Sequence, residues 1–304
     1  MQELTNLFSE CLNRYNACGP CDGNNCKQSF FCTANNCAQG QCDRCMNHIQ
    51  WSPSPQFHYS CEKITFQYVL RFFNRFASEV AYAVASMNKD YLQGKTKLNV
   101  LSLGCGPGSE VYGFIKALKV KAPHIVLDYQ GFDMNDIWAT VQQLSMLGLS
   151  NTPHHIAFHN LNMFGGFEGF RDGGIDILVL NYLLSDAQKF YFNDAGRLQF
   201  IDEIAQFVID NDAKSILFND NCYYGRSCLD SGVKMMLKLI QAIKKKHVQV
   251  DLRFRYFPGD PYVPSDSWKG YQYGKLLFPP LAVNPHDANI TSCKSKQIIV
   301  LINK

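Results

Sequence analysis

The sequence predicts an α/β protein with a doubly wound, mostly parallel seven-stranded sheet, preceded by a small cysteine-rich module. Three observations lead to this prediction. From residue 97 onward, strand-like apolar runs alternate with helix-like segments, which is typical of a parallel sheet covered by helices on both faces. Nine of the thirteen cysteines lie within the first 61 residues. Apolar residues make up 46% of the chain and charged residues 18%, so a large globular core is expected.

Residues 1–61 form the predicted cysteine-rich module. Turn-forming pairs such as Gly19-Pro20 and Gln39-Gly40 recur in it, and apolar periodicity is nearly absent. A segment of this composition buries too little apolar surface to fold without cross-links or bound metal. The prolines of Trp51–Pro55 indicate an extended exit from the module.

Residues 62–94 are predicted to be a helical connection. Apolar side chains recur at spacings of four from Ile64 to Val84, which indicates one long helix or two shorter ones. The domain that follows, residues 95–304, contains seven predicted strands and four predicted helices. The strands are expected at 99–104, 128–133, 155–159, 175–181, 215–219, 249–256 and 297–302, and the helices at 109–121, 136–147, 196–209 and 232–246. The last two strands have no helix between them, which indicates an antiparallel hairpin at the edge of the sheet.

A glycine-rich loop, Leu103-Gly104-Cys105-Gly106-Pro107-Gly108-Ser109, joins the first strand to the first helix of this domain. Glycines at alternate positions let the backbone turn tightly and let a ligand approach without a Cβ in the way. The dinucleotide fingerprint requires G-x-G-x-x-G, but Ser109 stands at the sixth position and Pro107 has no N–H to offer a pyrophosphate. NAD and FAD are therefore disfavoured.

An acidic residue, Asp133, ends the second predicted strand. In βαβ ligand sites, a carboxylate at this place binds the ribose hydroxyls of a nucleotide. The alternative is that Asp133 caps the next helix, a role that Asp136 could equally fill. The loop and the carboxylate together predict a nucleoside-type cofactor.

The loop Val100–Gly108 and the segment Gly131–Met134 resemble the corresponding motifs of the class I S-adenosylmethionine-dependent methyltransferases, which have a Rossmann-like fold. The resemblance covers about residues 95–304. It implies that the protein is a methyltransferase with S-adenosyl-L-methionine as cofactor. The implied cofactor-binding residues are Gly104, Cys105, Gly106 and Gly108 around the methionine moiety, Asp133 at the ribose, Met134 and Asn162 at the adenine, and Asn181 and Tyr182 beside the transferring methyl group.

No catalytic acid or base is predicted. Methyl transfer is a direct displacement, and positioning and desolvation supply most of its acceleration. The fourth strand ends in Asn181–Leu184, which departs from the Asn/Asp-Pro-Pro-aromatic motif of methyltransferases that act on exocyclic base amines. Cys222 could be argued as a nucleophile for pyrimidine methylation, but a buried structural cysteine is the favoured interpretation.

The cysteines of the first module have metal-ligand spacing. Cys18-x2-Cys21 and Cys42-x2-Cys45, separated by 20 residues, match the pattern of a zinc ribbon. Two Zn²⁺ ions are predicted, with an iron–sulfur cluster, disulfides or a single ion as alternatives and with the pairing of ligands left open. The predicted ligands are Cys18, Cys21, Cys26, Cys32, Cys37, Cys42, Cys45 and Cys61.

The charge of this module bears on its partners. It has three basic and four acidic residues, and thiolates bound to zinc would make it more acidic, so it is poorly suited to bind phosphates. We expect it to be structural, to dock a protein or to form a lid. RNA is the favoured methyl acceptor, by analogy with other zinc-containing methyltransferases. The alternatives are a protein or small-molecule acceptor, or a non-catalytic assembly factor.

The first residues, Met1–Asn6, contain neither the basic nor the apolar region of a signal peptide. The sequence also has no apolar run of the roughly 20 residues that span a bilayer. We therefore expect an intracellular protein, cytoplasmic or alternatively nuclear, with no membrane contact.

Overall fold

The protein forms a mixed β-sheet flanked by helices in this computed structural model. The structure describes residues 2–18, 45–46, 49, 59–87, 89–161, 167–171, 173–190, 193–220, 232–246, 248–256, 269–270, 274–278, 290 and 292–303. The strands are β1 (Lys97–Leu103), β2 (Val126–Phe132), β3 (His155–His159), β4 (Ile177–Asn181), β5 (Ser215–Asp220), β6 (Gln249–Tyr256), β7 (Lys269–Gly270) and β8 (Lys296–Asn303). The helices are α1 (Gln2–Ala17), α2 (Glu62–Ser86), α3 (Lys89–Leu92), α4 (Ser109–Lys121), α5 (Ala139–Leu149), α6 (Leu183–Phe190), α7 (Asp194–Asp210) and α8 (Gly232–Lys245), with a 3₁₀ turn at Asp136–Trp138 before α5.

The strand order is β3-β2-β1-β4-β5-β8-β6-β7. The first five strands in this order are parallel, whereas β8 runs antiparallel to both β5 and β6. The predicted α/β class, the largely parallel sheet and the antiparallel terminal pair are confirmed. All seven predicted strands are present, and the described residues add a short eighth, the two-residue β7, which pairs with the end of β6.

The central strands of the sheet are buried on both faces. Along β1, Leu98 and Val100 face a core shared with α1, α2, α4 and α5, whereas Leu101 and Leu103 face a second core shared with α7 and α8. Strands with both faces covered are near-continuously apolar, which is why β1, β4 and β5 could be located from sequence. Because the chain leaves β1 toward β2 on one side and returns to β4 on the other, the carboxyl ends of β1 and β4 form the topological switch point. Ligands of open α/β sheets bind at this place.

Helix α2 lies beside the switch point, held there by close packing against α4. Gly113 of α4 makes this approach feasible, since a Cβ at that position would lie 2.5 Å from the carbonyl oxygen of Ala77. The predicted helical connection is confirmed as α2 and the short α3. No helix in the described part of the chain is long and apolar enough to cross a bilayer.

The first helix corrects one expectation of the sequence analysis. Residues 1–61 were expected to contribute little apolar surface, but α1 buries four side chains in the main core: Leu4, Leu7, Phe8 and Cys11. The ring of Phe8 meets that of Phe73 of α2 edge-on, with centroids 5.8 Å apart. Helix α1 therefore packs as part of the larger domain. That residues 18–61 form a separate module stays a prediction.

Candidate functional site

The glycine-rich loop lies at the carboxyl end of β1, where the topology places a ligand site. Gly104, Gly106 and Gly108 have φ angles of 60°, 50° and 74°, a left-handed conformation that side chains with a Cβ rarely adopt. The loop is held from outside by hydrogen bonds. Cys105 N–H donates to the carbonyl of Phe132 at 3.1 Å, and the buried Gln142 side chain donates to the Gly106 carbonyl at 2.7 Å.

The three glycines differ in what surrounds them. A Cβ on Gly104 would lie 2.6 Å from Leu183 Cδ1, and one on Gly108 would lie 2.5 Å from Phe158 Cζ, so neither position has room for a side chain. At Gly106 the nearest atom is 3.8 Å away, in the ring of Trp138, which is an ordinary van der Waals distance. Gly104 is exposed, whereas Gly106 and Gly108 are buried, so the opening through which a ligand can reach the loop backbone lies at Gly104.

Asp133 is fixed against this opening. Gly106 N–H donates to its Oδ2 at 2.8 Å and Asn135 N–H to its Oδ1 at 2.9 Å. Burial raises the pKa of Asp133 to about 6, and the N–H groups of Asn135 and Gly106 partly oppose this rise. The carboxyl group is consequently ionised at neutral pH.

The capping alternative for Asp133 is wrong. The side chain of Asn135 caps the 3₁₀ turn by accepting a hydrogen bond from the N–H of Ile137 at 3.3 Å. Asp133 instead connects the glycine loop to the chain that leaves β2, so the position that the sequence assigned to a ribose ligand is retained.

Beyond Asp133 the edge of the sheet is apolar and open. Met134, after β2, is 74% exposed, and Leu161, after the neighbouring β3, is 43% exposed. Exposed apolar side chains at a ligand site suit the face of an adenine ring. Asn162, the other predicted adenine contact, lies outside the described residues.

Asn181 and Tyr182 lie at the carboxyl end of β4, on the other side of the switch point. Tyr182 has a φ of 59°, a strained conformation for a residue with a Cβ, and its N–H donates to the carbonyl of Asn219 at 2.8 Å. The Asn219 side chain donates to Asn181 Oδ1 at 3.2 Å. Strain of this kind is found at ligand sites, where surrounding contacts hold it in place.

The hydroxyl of Tyr182 donates to Glu79 of α2 at 2.7 Å. Glu79 is fully buried, and its other oxygen accepts from the N–H groups of Lys294 and Ser295 at 2.9 and 3.3 Å. Burial raises the pKa of Glu79, whereas the nearby charge of Arg75 and these hydrogen bonds oppose the rise. Glu79 thus ties three distant parts of the chain together beside the site.

An aromatic cover lies over the loop, formed by Tyr59, Tyr68, Phe72, Phe76, Trp138 and Tyr182. Ring centroids lie 5.2 Å apart for Tyr68 and Trp138, and 4.1 Å apart for Phe76 and Tyr182. Three of the six rings recur at spacings of four on α2, so a single helix face presents them. The four-residue spacing of these aromatic residues is visible in the sequence and predicts a helix. It does not by itself predict that the rings line the site.

Cys105 is buried within the loop, and burial raises the pKa of its thiol well above the usual value. A Cβ on Gly131 would lie 2.9 Å from its sulfur, so there is little free space around it. A buried thiol with a raised pKa is a poor nucleophile. This agrees with the interpretation that Cys105 fills space in the loop and has no part in the chemistry.

Three of the eight predicted zinc ligands are described, namely Cys18, Cys45 and Cys61. Cys45 and Cys61 pack in one apolar cluster beside α2. Burial raises the pKa of the Cys18 thiol, and the nearby Cys61 adds to this rise. No group of three or more metal-ligating side chains is present in the part of the chain that the structure describes. The remaining predicted ligands, Cys21, Cys26, Cys32, Cys37 and Cys42, lie outside it, so the zinc site stays a prediction.

No protein-family model matches this sequence, and no curated protein matches it either. Solved structures with a similar fold include a putative class I S-adenosylmethionine-dependent methyltransferase from Listeria monocytogenes, with a TM-score of 0.43 and 13% identity over 74% of this chain and 60% of that one. A small RNA methyltransferase has a TM-score of 0.43 and 10% sequence identity, over 74% of this chain and 26% of that one. Magnesium protoporphyrin IX methyltransferase from Synechocystis, with bound S-adenosylmethionine, has a TM-score of 0.39 and 11% sequence identity, over 89% of this chain and 100% of that one.

The chain spans less than two thirds of the first two of these proteins. These similarities are too remote to carry an argument about activity, which has to come from the site itself.

Proposed function

We propose that the protein is an S-adenosylmethionine-dependent methyltransferase. The observation that carries this proposal is the left-handed glycine loop, in which the exposed Gly104 gives a ligand access to the backbone and the N–H of Gly106 donates to Asp133. It lies at the switch point of a parallel sheet, where nucleotide-like cofactors bind. When bound, S-adenosylmethionine supplies an electrophilic methyl group to a nucleophilic acceptor.

The residues around the opening fit such a cofactor. The ionised Asp133 is placed to accept hydrogen bonds from ribose hydroxyls, since a carboxylate oxygen can accept more than one. Met134 and Leu161 offer apolar surface to an adenine ring. The exposed Gly104 offers its backbone to the methionine portion, and the electron-rich faces of the aromatic cover suit a sulfonium cation.

The protein contributes to the reaction mainly by positioning the reactants and by excluding water from them. The cover excludes water from the opening, which strengthens electrostatic contacts inside it. Tyr182, beside the expected methyl group, is unsuited to be a general base because its hydroxyl donates to Glu79 and burial raises its pKa well above the usual value. We therefore assign Tyr182 and Asn181 to shaping the acceptor side.

The zinc module and the acceptor class belong to the proposal as well. The cysteine spacing supports two structural Zn²⁺ ions in residues 1–61. The cysteine module suggests RNA as the acceptor only by analogy, with the module docking a partner or forming a lid over the substrate, and a small-molecule acceptor is the alternative. The rival function, a non-catalytic assembly factor, has no need for a glycine loop that is exposed at Gly104 and holds an ionised carboxylate.

Calorimetry with S-adenosylmethionine tests the cofactor assignment. Asp133→Ala should weaken binding by about 1–3 kcal/mol, because the cofactor's hydroxyls lose a charged acceptor in a partly buried site. This is roughly a 5- to 150-fold increase in Kd. Asp128→Ala is the matched control, since Asp128 lies near the other end of β2 and pairs with Lys97 at 2.8 Å. Absence of binding by the wild type, or equal binding by Asp133→Ala, would reject the proposal.

A further inference from the structure

Arg75, on the acceptor side of the site, makes no hydrogen bond to any residue that the structure describes, and we propose that it binds the carboxylate or phosphate group of a small acid that is the methyl acceptor. This inference rests on the proposed function, because the acceptor matters only if methyl transfer occurs. Arg75 takes no part in bond making in this scheme. It positions the acceptor through the acidic group.

Arg75 lies on α2 with its side chain 11% exposed. Three rings of the aromatic cover surround its guanidinium: the carbon at the guanidinium centre is 5.4 Å from the centroid of Phe72, 4.8 Å from that of Phe76 and 5.5 Å from that of Tyr182. Such contacts hold the cation in place and remove it from water. They supply no hydrogen-bond acceptor in the plane of the guanidinium.

The donors of Arg75 have no protein acceptor among the described residues. Its Nε is buried and makes no hydrogen bond. The nearest carboxylate oxygen, Glu79 Oε1, is 3.9 Å from that nitrogen, which is too far for a hydrogen bond. Buried donors without acceptors cost free energy, so a charged guanidinium in this state is suited to a ligand that satisfies it.

A simpler explanation is that Arg75 only balances the charge of Glu79. The geometry argues against it, because structural ion pairs in the interior are normally hydrogen-bonded. Glu79 instead directs its oxygens to Tyr182, Lys294 and Ser295. The guanidinium remains available for a bidentate pair with a carboxylate or phosphate, the geometry for which arginine is suited.

The position of Arg75 connects it with methyl transfer. The ring of Tyr182, which follows β4 at the switch point, contacts both Arg75 and Phe76. Tyr68, in the middle of the cover, lies within reach of the charges of both Arg75 and Asp133, which shift its pKa in opposite directions. The ring of Tyr68 also contacts Trp138 beside the glycine loop and Phe76 beside Arg75, so the aromatic cover extends from the loop that binds Asp133 to the cation of Arg75.

The burial of Arg75 favours a small acid over RNA. Contacts to the phosphates of a polymer come from exposed basic side chains that track its backbone. A guanidinium enclosed by three rings can be reached by a single small acidic group. A methylated RNA product would therefore contradict this proposal while leaving the proposed methyltransferase activity intact.

The test of acceptor class uses wild-type protein, S-adenosylmethionine labelled in its methyl group, and a cell extract separated into RNA, acidic small molecules and other small molecules. The label is expected in the acidic small molecules, and phosphatase treatment of that fraction distinguishes phosphate esters from carboxylates. Label in RNA, in the other small molecules or in no fraction would overturn the proposal. A wild type that fails to bind S-adenosylmethionine would instead reject the proposed function.

The residue itself is tested with Arg75→Lys, which keeps the charge near Glu79 but loses the planar pair of donors. We expect at least a tenfold loss of transfer at limiting acceptor, recovered in part at high acceptor, with an unchanged Kd for S-adenosylmethionine. Arg71→Gln is the matched control. Arg71 lies one turn earlier on α2, and the central carbon of its guanidinium is 5.1 Å from the centroid of Phe72. Equal losses in both variants, or none in Arg75→Lys, would contradict the assignment.

A measurement without cofactor keeps the binding site testable by itself. Saturation-transfer NMR is expected to detect acetate or methylphosphonate on the wild type and not the neutral acetamide. The double variant Arg75→Gln, Glu79→Gln removes both buried charges together, which avoids leaving Glu79 uncompensated, and it should lose the signal. Equal signals from acetate and acetamide, or a signal that persists in the double variant, would overturn the proposal.

Discussion

Replacing Gly106 by alanine tests whether the glycine loop contacts a ligand or only lets the chain turn. We predict that Gly106→Ala loses S-adenosylmethionine binding by at least tenfold, because its Cβ would stand on the loop between the exposed Gly104 and Asp133, where the cofactor is expected. That Cβ would lie 3.8 Å from Trp138, an ordinary van der Waals distance, so the protein itself accommodates it. The change should therefore act on the ligand and, through φ alone, on stability.

The magnitude of the stability effect follows from the backbone angle. A residue with a Cβ in the left-handed region costs about 1–2 kcal/mol relative to glycine. Part of this, about 0.4–1 kcal/mol, is offset because alanine reduces the freedom of the unfolded chain. The expected net loss is about 1 kcal/mol.

Gly94 provides a matched control for this experiment. It lies in the exposed turn before β1, has a φ of 75° and would place a Cβ within 4 Å of nothing. Gly94→Ala should lose about the same 1 kcal/mol in urea unfolding while binding cofactor like the wild type. If Gly106→Ala keeps wild-type affinity at the same loss of stability, Gly106 is not next to the cofactor and the reasoning from the glycine loop is refuted.

Four further outcomes are expected. Because the pKa of Asp133 is raised to about 6, its ionised form prevails above that pH, so cofactor affinity should fall as the pH drops below about 6 and Asp133→Asn should remove this dependence in calorimetric titrations. Tyr182→Phe takes one donor from the buried Glu79 and should cost about 1–3 kcal/mol in urea unfolding, whereas a loss too small to measure would mean that water replaces the hydroxyl. Phe8→Ala should cost about 3–5 kcal/mol in the same assay, and a near-neutral result would contradict the packing of α1 on the core. Elemental analysis should find about two zinc ions per chain, and stoichiometric iron or no metal would reject the zinc assignment.

The elements with strong local patterns were predictable from the sequence. Strands such as β3 and β6 and the helix α4 were placed with the observed bounds, since buried apolar runs and a glycine loop before a helix are local signals. The helix α1 was missed although its buried residues recur at the helical spacing of three, four and seven positions. The abundant turn residues that follow it outweighed this short pattern.

The candidate site divides in the same way. The glycines and Asp133 follow directly after strands, so their neighbourhood at the switch point could be inferred from the topology. The contacts of Glu79 could not, because its partners Tyr182 and Lys294 lie 103 and 215 residues away in the chain. The surroundings of the three loop glycines depend likewise on where Leu183, Trp138 and Phe158 come to lie, which no local pattern specifies.

The position of β8 has a consequence for how the site is made during synthesis. This strand is inserted between β5 and β6, and the residues just before and within it provide donors to Glu79 from Lys294, Ser295 and Gln297. A nascent chain still lacking this strand has an open gap in the middle of its sheet, and its Glu79 lacks these donors. Ligand binding on the acceptor side is therefore expected to appear only after residue 303 has emerged from the ribosome, which places the assembly of the site after translation of the whole domain.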